Sequence, residues 1–220
     1  ATSGKAPDCV VMNVTVRSMK LHGGAFGDRG GIRPDKATLE AENVEATALG
    51  AKTNLDRHIR NMTSFGVPVV VSINRFASDT DAELAAISQA AHESGASAVC
   101  ITEVHANGGE GGKDLAEAVV KAVQNHVAAG RPFVPLFTPE TDVLDKAEAI
   151  AKRLYKADGL ELTAKAKREL DRIRSWGYGH LPVCMAKTQY SFSHDAGLLG
   201  APTGFTPPFP LGAASDLIRQ

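Results

Sequence analysis

Cysteine is scarce in this sequence: its 220 residues contain only Cys9, Cys100 and Cys184. The three stand far apart in apolar stretches, without the paired spacing of a zinc site or the density of a disulfide framework. This pattern favours free, buried thiols in a reducing compartment, so we expect a cytoplasmic protein or one from the interior of an organelle.

Long apolar runs and an excess of one charge are also lacking. No run approaches the roughly 20 apolar residues that a membrane-spanning helix needs. The net charge of -1 offers no attraction to nucleic acid or to an anionic membrane. No signal-peptide pattern opens the chain, and neither does an initiator Met, so we expect a segment of a longer protein.

Short β-branched runs alternate with helical patterns, which is typical of α/β proteins with parallel strands. The predicted strands are Cys9–Val16, Val67–Ile73 and Ala98–Thr102. Thr80 and Glu83 form a capping box before one predicted helix, and an apolar stripe in a second helix ends at Gly130. Loops at the carboxyl ends of such strands are where ligands bind.

The pattern predicts three regions along the chain. Residues 1–137 form an α/β region with a parallel sheet and flanking helices. Residues 138–206, with two successive helical patterns and a short apolar run, form a smaller C-terminal α+β unit. Residues 207–220 have no clear periodicity and are predicted to be an irregular tail.

Two predicted loops combine glycine with charge. The segment Lys20–Gly24 follows the first strand, with Arg17 just before it. Its glycines allow a turn whose N–H groups point at an anion, although a tight turn with solvated cations is the alternative. The segment Asn107–Asp114 has four glycines, but it departs from the phosphate-binding pattern G-x-x-x-x-G-K-[ST] at both ends. No other stretch of the chain has that pattern.

The segment Asn74–Asp79 follows the second strand and carries Phe76. It has a faint likeness to loops that read a purine, but its spacing differs. An aromatic side chain at this position is either part of the core or a platform on which a flat ligand stacks.

Seven segments together resemble the formate–tetrahydrofolate ligase family, in the family's own order, from about residue 7 to residue 206. They are Asn13–Gly24 (V-A-T-V-R-A-L-K-x-H-G-G in the family), Asn54–Ile59 (N-L-x-x-H-I), Phe65–Val71 (F-G-V-P-V-V-V), Asn74–Thr80 (N-K-F-P-T-D-T), Gly108–Gly112 (from W-A-K-G-G-E-G-G), Tyr155–Gly159 (Y-G-A-D-G) and Leu181–Ser191 (L-P-V-C-M-A-K-T-Q-Y-S).

The resemblance implies a fold like that of P-loop nucleotide hydrolases, and a ligase that joins formate to N10 of tetrahydrofolate with ATP hydrolysis. The intermediate would be formyl phosphate, since phosphate leaves readily whereas hydroxide does not. ATP with Mg²⁺ would be required, tetrahydrofolate would be a substrate, and a monovalent cation is compatible with the family. We expect small-molecule partners, no nucleic acid or membrane, and a homo-oligomeric parent protein.

The resemblance also assigns site residues. Phe76 and His105 would stack the pterin ring, His105 standing where the family has a Trp, and Ala77 replaces a Pro beside Phe76. The catalytic residues stay unassigned. Nucleotide or phosphate contacts are predicted for Arg17, Lys20, His22, Gly23, Gly24, Asn74, Asp79, Gly108, Gly109, Gly111, Gly112 and Lys187.

Two alternatives to an active enzyme remain. The family's phosphate-binding loop lies before this segment and is absent here. The chain is therefore either a piece of the ligase, or a non-catalytic fragment or truncated paralogue that keeps a folate-binding or oligomer-forming surface. The second, weaker alternative is that a partner chain supplies the missing residues.

Overall fold

The computed structural model describes residues 5–27, 34–185, 190–193, 195 and 197–209. Three short strands form the main sheet and two strands of two residues form a second pair. The strands are β1 (Val10–Val14), β2 (Val69–Asn74), β3 (Ala98–Thr102), β4 (Glu161–Leu162) and β5 (Pro208–Phe209).

Helices follow the strands of the main sheet and make up most of the rest of the described chain. They are α1 (Val16–His22), α2 (Lys36–Glu40), α3 (Val44–Gly50), α4 (Asp56–Thr63), α5 (Asp81–Glu93), α6 (Val104–Asn107), α7 (Lys113–Ala129), α8 (Val143–Ile150) and α9 (Ala164–Ser175). Ala51–Leu55 and Ala151–Tyr155 are π-helical, and Gly108–Gly112 is a 3₁₀ turn. None of the described helices is long and apolar enough to cross a membrane.

The main sheet is parallel, with β2 between β1 and β3. Its register aligns Val14 with Ile73 and Ile73 with Ile101. β2 is almost wholly buried on both faces, which explains why its sequence is a continuous β-branched run. The prediction of an α/β fold with a parallel sheet and flanking helices is confirmed.

One face of this sheet carries the main hydrophobic core. Side chains of the strands pack there against helices α1, α4 and α5 and the π-helical turn after α3. The buried members of this core are Val14, Val16, Met19, Ala51, Leu55, Ile59, Val69, Val71, Ile73, Leu84, Ile87, Ala90 and Ala91.

The first strand is shorter than predicted because a helix begins at once behind it. Thr15 caps α1: its side-chain oxygen accepts a hydrogen bond from the Ser18 N–H (3.2 Å), and the Thr15 N–H donates to the Ser18 hydroxyl oxygen (3.4 Å). Lys20 and His22 therefore lie in a helix and not in the predicted loop. Gly23 comes only after seven helical residues, about 10 Å along the axis.

Gly23 and Gly50 let two helices cross closely. A Cβ atom on Gly23 would lie 1.8 Å from the Ala46 carbonyl oxygen, and one on Gly50 would lie 2.0 Å from the Met19 carbonyl oxygen. Both distances are far inside van der Waals contact. These glycines are therefore needed for packing α1 against α3.

The described residues divide into two compact units: the larger holds those within 6–134 and 197–201, and the smaller holds Lys5 and those within 135–195 and 202–209. The smaller unit contains α8, α9 and the pair β4–β5. Pro208 and Phe209, which were predicted to begin an irregular tail, pair with Glu161 and Leu162. The predicted domain boundaries and the separate α+β unit stay predictions.

Two side chains of the smaller unit differ from what their residue types suggest: Lys146 is buried and Cys184 is exposed. The Lys146 ammonium is buried and donates to the carbonyl oxygens of Pro139 (2.8 Å), His180 (2.6 Å) and Leu181 (3.3 Å), which ties these loops to α8. Cys184 is exposed, so the prediction of a buried thiol was wrong there. Cys184 lies in an irregular segment, outside the helices and strands.

Candidate functional site

The loops that follow β2 and β3 lie side by side at the carboxyl edge of the sheet. The Arg75 N–H donates to the Thr102 carbonyl oxygen (3.0 Å) and so continues the ladder beyond β2. The Arg75 guanidinium contacts Asp81 at 3.1 Å and Glu103 at 3.9 Å. The contact between Arg75 and Glu103 joins the loop that carries Phe76 to the segment that leads into α6 and His105.

Phe76 stands at this edge in a turn closed by Asp79. The Phe76 N–H donates to Asp79 Oδ2 (2.8 Å), and the Asp79 N–H donates to the Phe76 carbonyl oxygen (3.0 Å). Asp79 is buried, whereas Phe76 remains 37% exposed. Burial raises the pKa of Asp79, and the nearby Glu83 carboxylate adds to this, against the lowering effects of the Phe76 N–H, Lys20 and Arg17.

Arg17, in the first turn of α1, covers the Phe76 ring. Its guanidinium carbon lies 4.8 Å from the ring centroid, within the range of a cation–π contact. One terminal nitrogen lies 3.5 Å from Glu40. The Nε of Arg17 is buried and has no hydrogen-bond partner among the residues that the structure describes.

Lys20, one turn further along α1, makes a buried ion pair. Its ammonium lies 2.7 Å from Glu83 Oε1, and the exposed fractions of the two side chains are 1% and 0%. The same ammonium donates to the Ala41 carbonyl oxygen (2.8 Å), while Glu83 accepts from the backbone N–H groups of Asn43 (2.8 Å) and Thr80 (3.2 Å). The pair thus joins α1, the start of α3 and the start of α5.

His22, at the end of α1, holds a distant segment of the chain. Its Nδ1 accepts from the Gly200 N–H (3.3 Å), and Arg57 donates to the Ala201 carbonyl oxygen (3.0 Å). Burial lowers the pKa of His22. Burial also lowers the pKa of His58 to about 4, helped by the positive charges of His22 and Arg57. The motif Asn54–Ile59 therefore helps to fasten residues near 200 onto the larger unit.

The glycine-rich segment folds back onto the end of β3. His105 lies exposed in the short helix α6, and the 3₁₀ turn follows it. The Glu103 N–H donates to the Gly111 carbonyl oxygen (3.0 Å).

A cavity of about 210 Å³ opens beside this segment, and its lining includes Glu103, Glu110 and Asp114. These carboxylates give the cavity a negative potential, which disfavours a bare phosphate.

We expect Gly111→Ala to disrupt this segment and Gly109→Ala to leave it intact. A Cβ atom on Gly111 would lie 2.5 Å from the Glu103 carbonyl oxygen, whereas one on Gly109 would meet nothing within 4 Å. Amide hydrogen exchange checks this: protection at Glu103 should fall by about fivefold in Gly111→Ala alone, since its acceptor is displaced and one hydrogen bond is worth about 1 kcal/mol. Equal protection in the two variants would contradict the prediction.

A cavity of about 700 Å³ lies at the opposite, amino edge of the sheet, where Val67, Ser97, Lys121, His126 and Arg131 contribute to its lining. Helices α4, α5 and α7 end near this edge, and their carboxyl ends carry partial negative charge. Lys121 and Arg131 offset that charge. Ligands of parallel α/β sheets bind at the carboxyl edge.

The structure therefore brings together only part of the predicted site. Arg17, Phe76 and Asp79 are in contact, and Asn74 ends the strand beside them. Gly23 lies at the crossing of α1 and α3. Lys20 is paired with Glu83, and His22 accepts a hydrogen bond from the Gly200 N–H. Gly24 has a positive φ in the turn after α1, and Gly108, Gly109 and Gly112 lie in the segment beside the acidic cavity. Lys187 lies outside the described residues.

Sequence reasoning missed Glu83 and Glu103 as members of this region. Glu83 was identified only as the acidic partner of Thr80 in a capping box, and that local role is correct. Its contact with Lys20 joins residues 63 positions apart, and no local pattern signals it.

The sequence matches the family described as formate–tetrahydrofolate ligase over residues 1–209. It is 47% identical to the formate–tetrahydrofolate ligase of Ruegeria sp. (strain TM1040), covering 94% of this chain and 34% of the relative. It is 46% identical to the enzyme of the same name from Symbiobacterium thermophilum, covering 92% of this chain and 34% of the relative.

A third relative is larger. The cytoplasmic C-1-tetrahydrofolate synthase of Saccharomyces cerevisiae is 42% identical, and the match covers 94% of this chain and 21% of that protein. The chain thus spans about a third of the length of the bacterial relatives and about a fifth of the yeast one.

Proposed function

Because the chain belongs to the formate–tetrahydrofolate ligase family, we propose that it is part of an enzyme that uses ATP to join formate to N10 of tetrahydrofolate. The observation that carries the proposal is the contact of Arg17, Phe76 and Asp79 at the carboxyl edge of the sheet. A half-exposed aromatic ring held in a rigid turn at this edge is suited to stack a flat ligand.

The proposed chemistry proceeds in two steps. A formate oxygen attacks the terminal phosphorus of ATP, ADP leaves, and formyl phosphate forms. The N10 lone pair then attacks the formyl carbon, the carbon–oxygen bond to phosphate breaks, and N10 loses its proton. Phosphate is a far better leaving group than hydroxide, so the protein has mainly to position the reactants and exclude water.

Phe76 is proposed to stack the pterin ring, with His105 on the neighbouring segment as the second platform. Asp79 would hold the Phe76 backbone in place through its hydrogen bond. Arg75, which contacts Glu103, would keep the two segments at a constant separation. Because imidazole is smaller than indole, His105 covers less of a pterin than the family's Trp, at a cost of about 1 kcal/mol.

The predicted phosphate contacts are less favoured by the geometry. A phosphate contact by Lys20 would require its buried pair with Glu83 to open, and the carboxylates beside Gly108–Gly112 repel phosphate. Among the described residues no group of three or more His, Cys, Asp or Glu side chains is placed to hold a metal ion. The phosphate contacts, the homo-oligomer and a cytoplasmic location stay predictions.

The second candidate function is that of a non-catalytic folate-binding module. The sequence has no G-x-x-x-x-G-K-[ST] loop, and this favours it for the chain by itself.

We expect the purified chain to bind tetrahydrofolate but to release no ADP above background with ATP, formate and tetrahydrofolate. Phosphoryl transfer depends almost entirely on charge placed around the phosphates, and this chain lacks the main cradle for them. Calorimetric titration measures the binding, and a coupled ADP assay measures turnover with a full-length bacterial ligase as positive control. Formate-dependent ADP release would contradict the second expectation, and absent folate binding would contradict the proposed site.

A further inference from the structure

Arg17 occupies one face of the Phe76 ring, and this has a consequence for any ligand that stacks there. Its guanidinium carbon lies 4.8 Å from the ring centroid, yet the phenylalanine keeps 37% of its surface open. A flat ligand that stacks on this ring would therefore have to use the face turned away from Arg17. The result would be three layers: guanidinium, phenyl ring and ligand.

The cation changes what the open face of the ring prefers. A phenyl ring carries negative potential on both faces, and a cation on one face draws electron density towards itself. The opposite face becomes less negative and therefore stacks better on an electron-rich ring. Reduced pterins have an electron-rich pyrimidinone ring, whereas the fully oxidised pteridine ring is electron-poor.

Arg17 is placed to exert this effect steadily. It is held on a capped helix, and a terminal nitrogen of its guanidinium lies 3.5 Å from Glu40. Its Nε is buried without a hydrogen-bond partner among the described residues, so the aromatic ring is a principal contact of this guanidinium. Partial exposure of Arg17 and Glu40 means that solvent weakens their ion pair.

We propose that Arg17 is a selectivity residue that acts through Phe76 and makes the site prefer the reduced pterin of tetrahydrofolate over the oxidised pteridine of folic acid. This role replaces, for Arg17, the phosphate contact that the sequence pattern suggests. It rests on the proposed function, because it requires that Phe76 stacks the pterin.

The test is anaerobic calorimetric titration of the purified 220-residue chain with tetrahydrofolate and with folic acid. The ratio of the two dissociation constants is compared in wild type, Arg17→Gln, Arg17→Lys and Glu40→Gln. Arg17→Gln should reduce the preference for tetrahydrofolate by about two- to fivefold, the ratio equivalent to a cation–π energy of about 0.5–1 kcal/mol. Arg17→Lys should retain part of the preference, and Glu40→Gln should increase it by freeing the cation.

Arg172→Gln is the matched control. The Arg172 guanidinium carbon lies 5.2 Å from the centroid of the Trp176 ring in the smaller unit, so this change removes a similar contact elsewhere and should leave the ratio unchanged. If Arg17 had only a structural role, Arg17→Gln would weaken the binding of both ligands equally. An unchanged ratio of the two dissociation constants in this variant would overturn the inference about Arg17 but not the proposed folate site. Absence of binding of either ligand to wild type would overturn the proposed folate site and the inference together.

Discussion

Replacing Phe76 with alanine is expected to weaken the binding of folate analogues to this chain severely. The substitution removes the exposed ring at the carboxyl edge of the sheet and leaves the Arg17 guanidinium above an empty space. Stacking on an aromatic side chain contributes about 1–3 kcal/mol per ring, so the dissociation constant should rise by about 5- to 150-fold. The measurement is ligand fluorescence quenching, with circular dichroism to verify the fold.

Two further substitutions separate stacking from packing. Phe76→Leu keeps most of the apolar volume under Arg17 but has no ring face, so we expect nearly the same loss of binding with an unchanged melting temperature. His105→Trp should strengthen binding by restoring the larger ring on the neighbouring segment. Unchanged affinity in both Phe76→Ala and His105→Trp would mean that neither side chain contacts the pterin in this chain.

The second large effect is expected from Glu83→Gln, which should lower the free energy of unfolding by about 3–5 kcal/mol. Lys20 and Glu83 are buried at 2.7 Å, so the substitution leaves the ammonium without its counter-charge away from water. Chemical denaturation with urea measures the change. Lys20→Met combined with Glu83→Gln should recover part of the loss, because the uncompensated charge is then removed.

An exposed ion pair of the same length provides the control. Lys152 and Glu148 are also 2.7 Å apart, but their side chains are 50% and 38% exposed. Solvent screens such a pair, so Glu148→Gln should change the free energy of unfolding by less than about 1 kcal/mol. Equal effects of the two substitutions would show that burial of the Lys20–Glu83 pair is not what makes it important.

The same pair predicts how stability depends on pH. Burial opposes ionisation of Glu83, but hydrogen bonds from Lys20, Asn43 and Thr80 together outweigh it, so the pKa of Glu83 lies below its usual value. A carboxyl group whose pKa falls on folding stabilises the fold above its unfolded pKa, and that stabilisation disappears as the pH falls through the folded pKa. The stability difference between wild type and Glu83→Gln should therefore shrink below about pH 4.3.

Much of the fold could be predicted because the relevant signals are local. The β-branched run Val67–Ile73 predicted a strand, and it forms β2, the middle strand of the main sheet. Thr80 and Glu83 correctly marked the start of α5, and Gly130 correctly marked the end of α7. Capping and periodicity depend on residues within about one turn, so the chain carries them without tertiary contacts.

Parts of the predicted loop geometry were decided by packing. The pattern Lys20–Gly24 has the composition of an anion-binding turn, but the Thr15 capping box and the close crossing of α1 and α3 make it the end of a helix. Glycine serves a tight turn and a close backbone approach equally well. Only the position of Ala46 against Gly23 distinguishes the two uses.

The sequence by itself determined the family, the parallel α/β architecture and the position of Phe76 directly after a central strand. Only the tertiary structure decided which charges remain available there: Lys20 is neutralised by Glu83, while Arg17 lies over the Phe76 ring. The reason is physical. The periodicity and capping residues that predict strands and helices lie close together in sequence, whereas the partner of a cation depends on which groups folding removes from water, and those groups lie far apart along the chain.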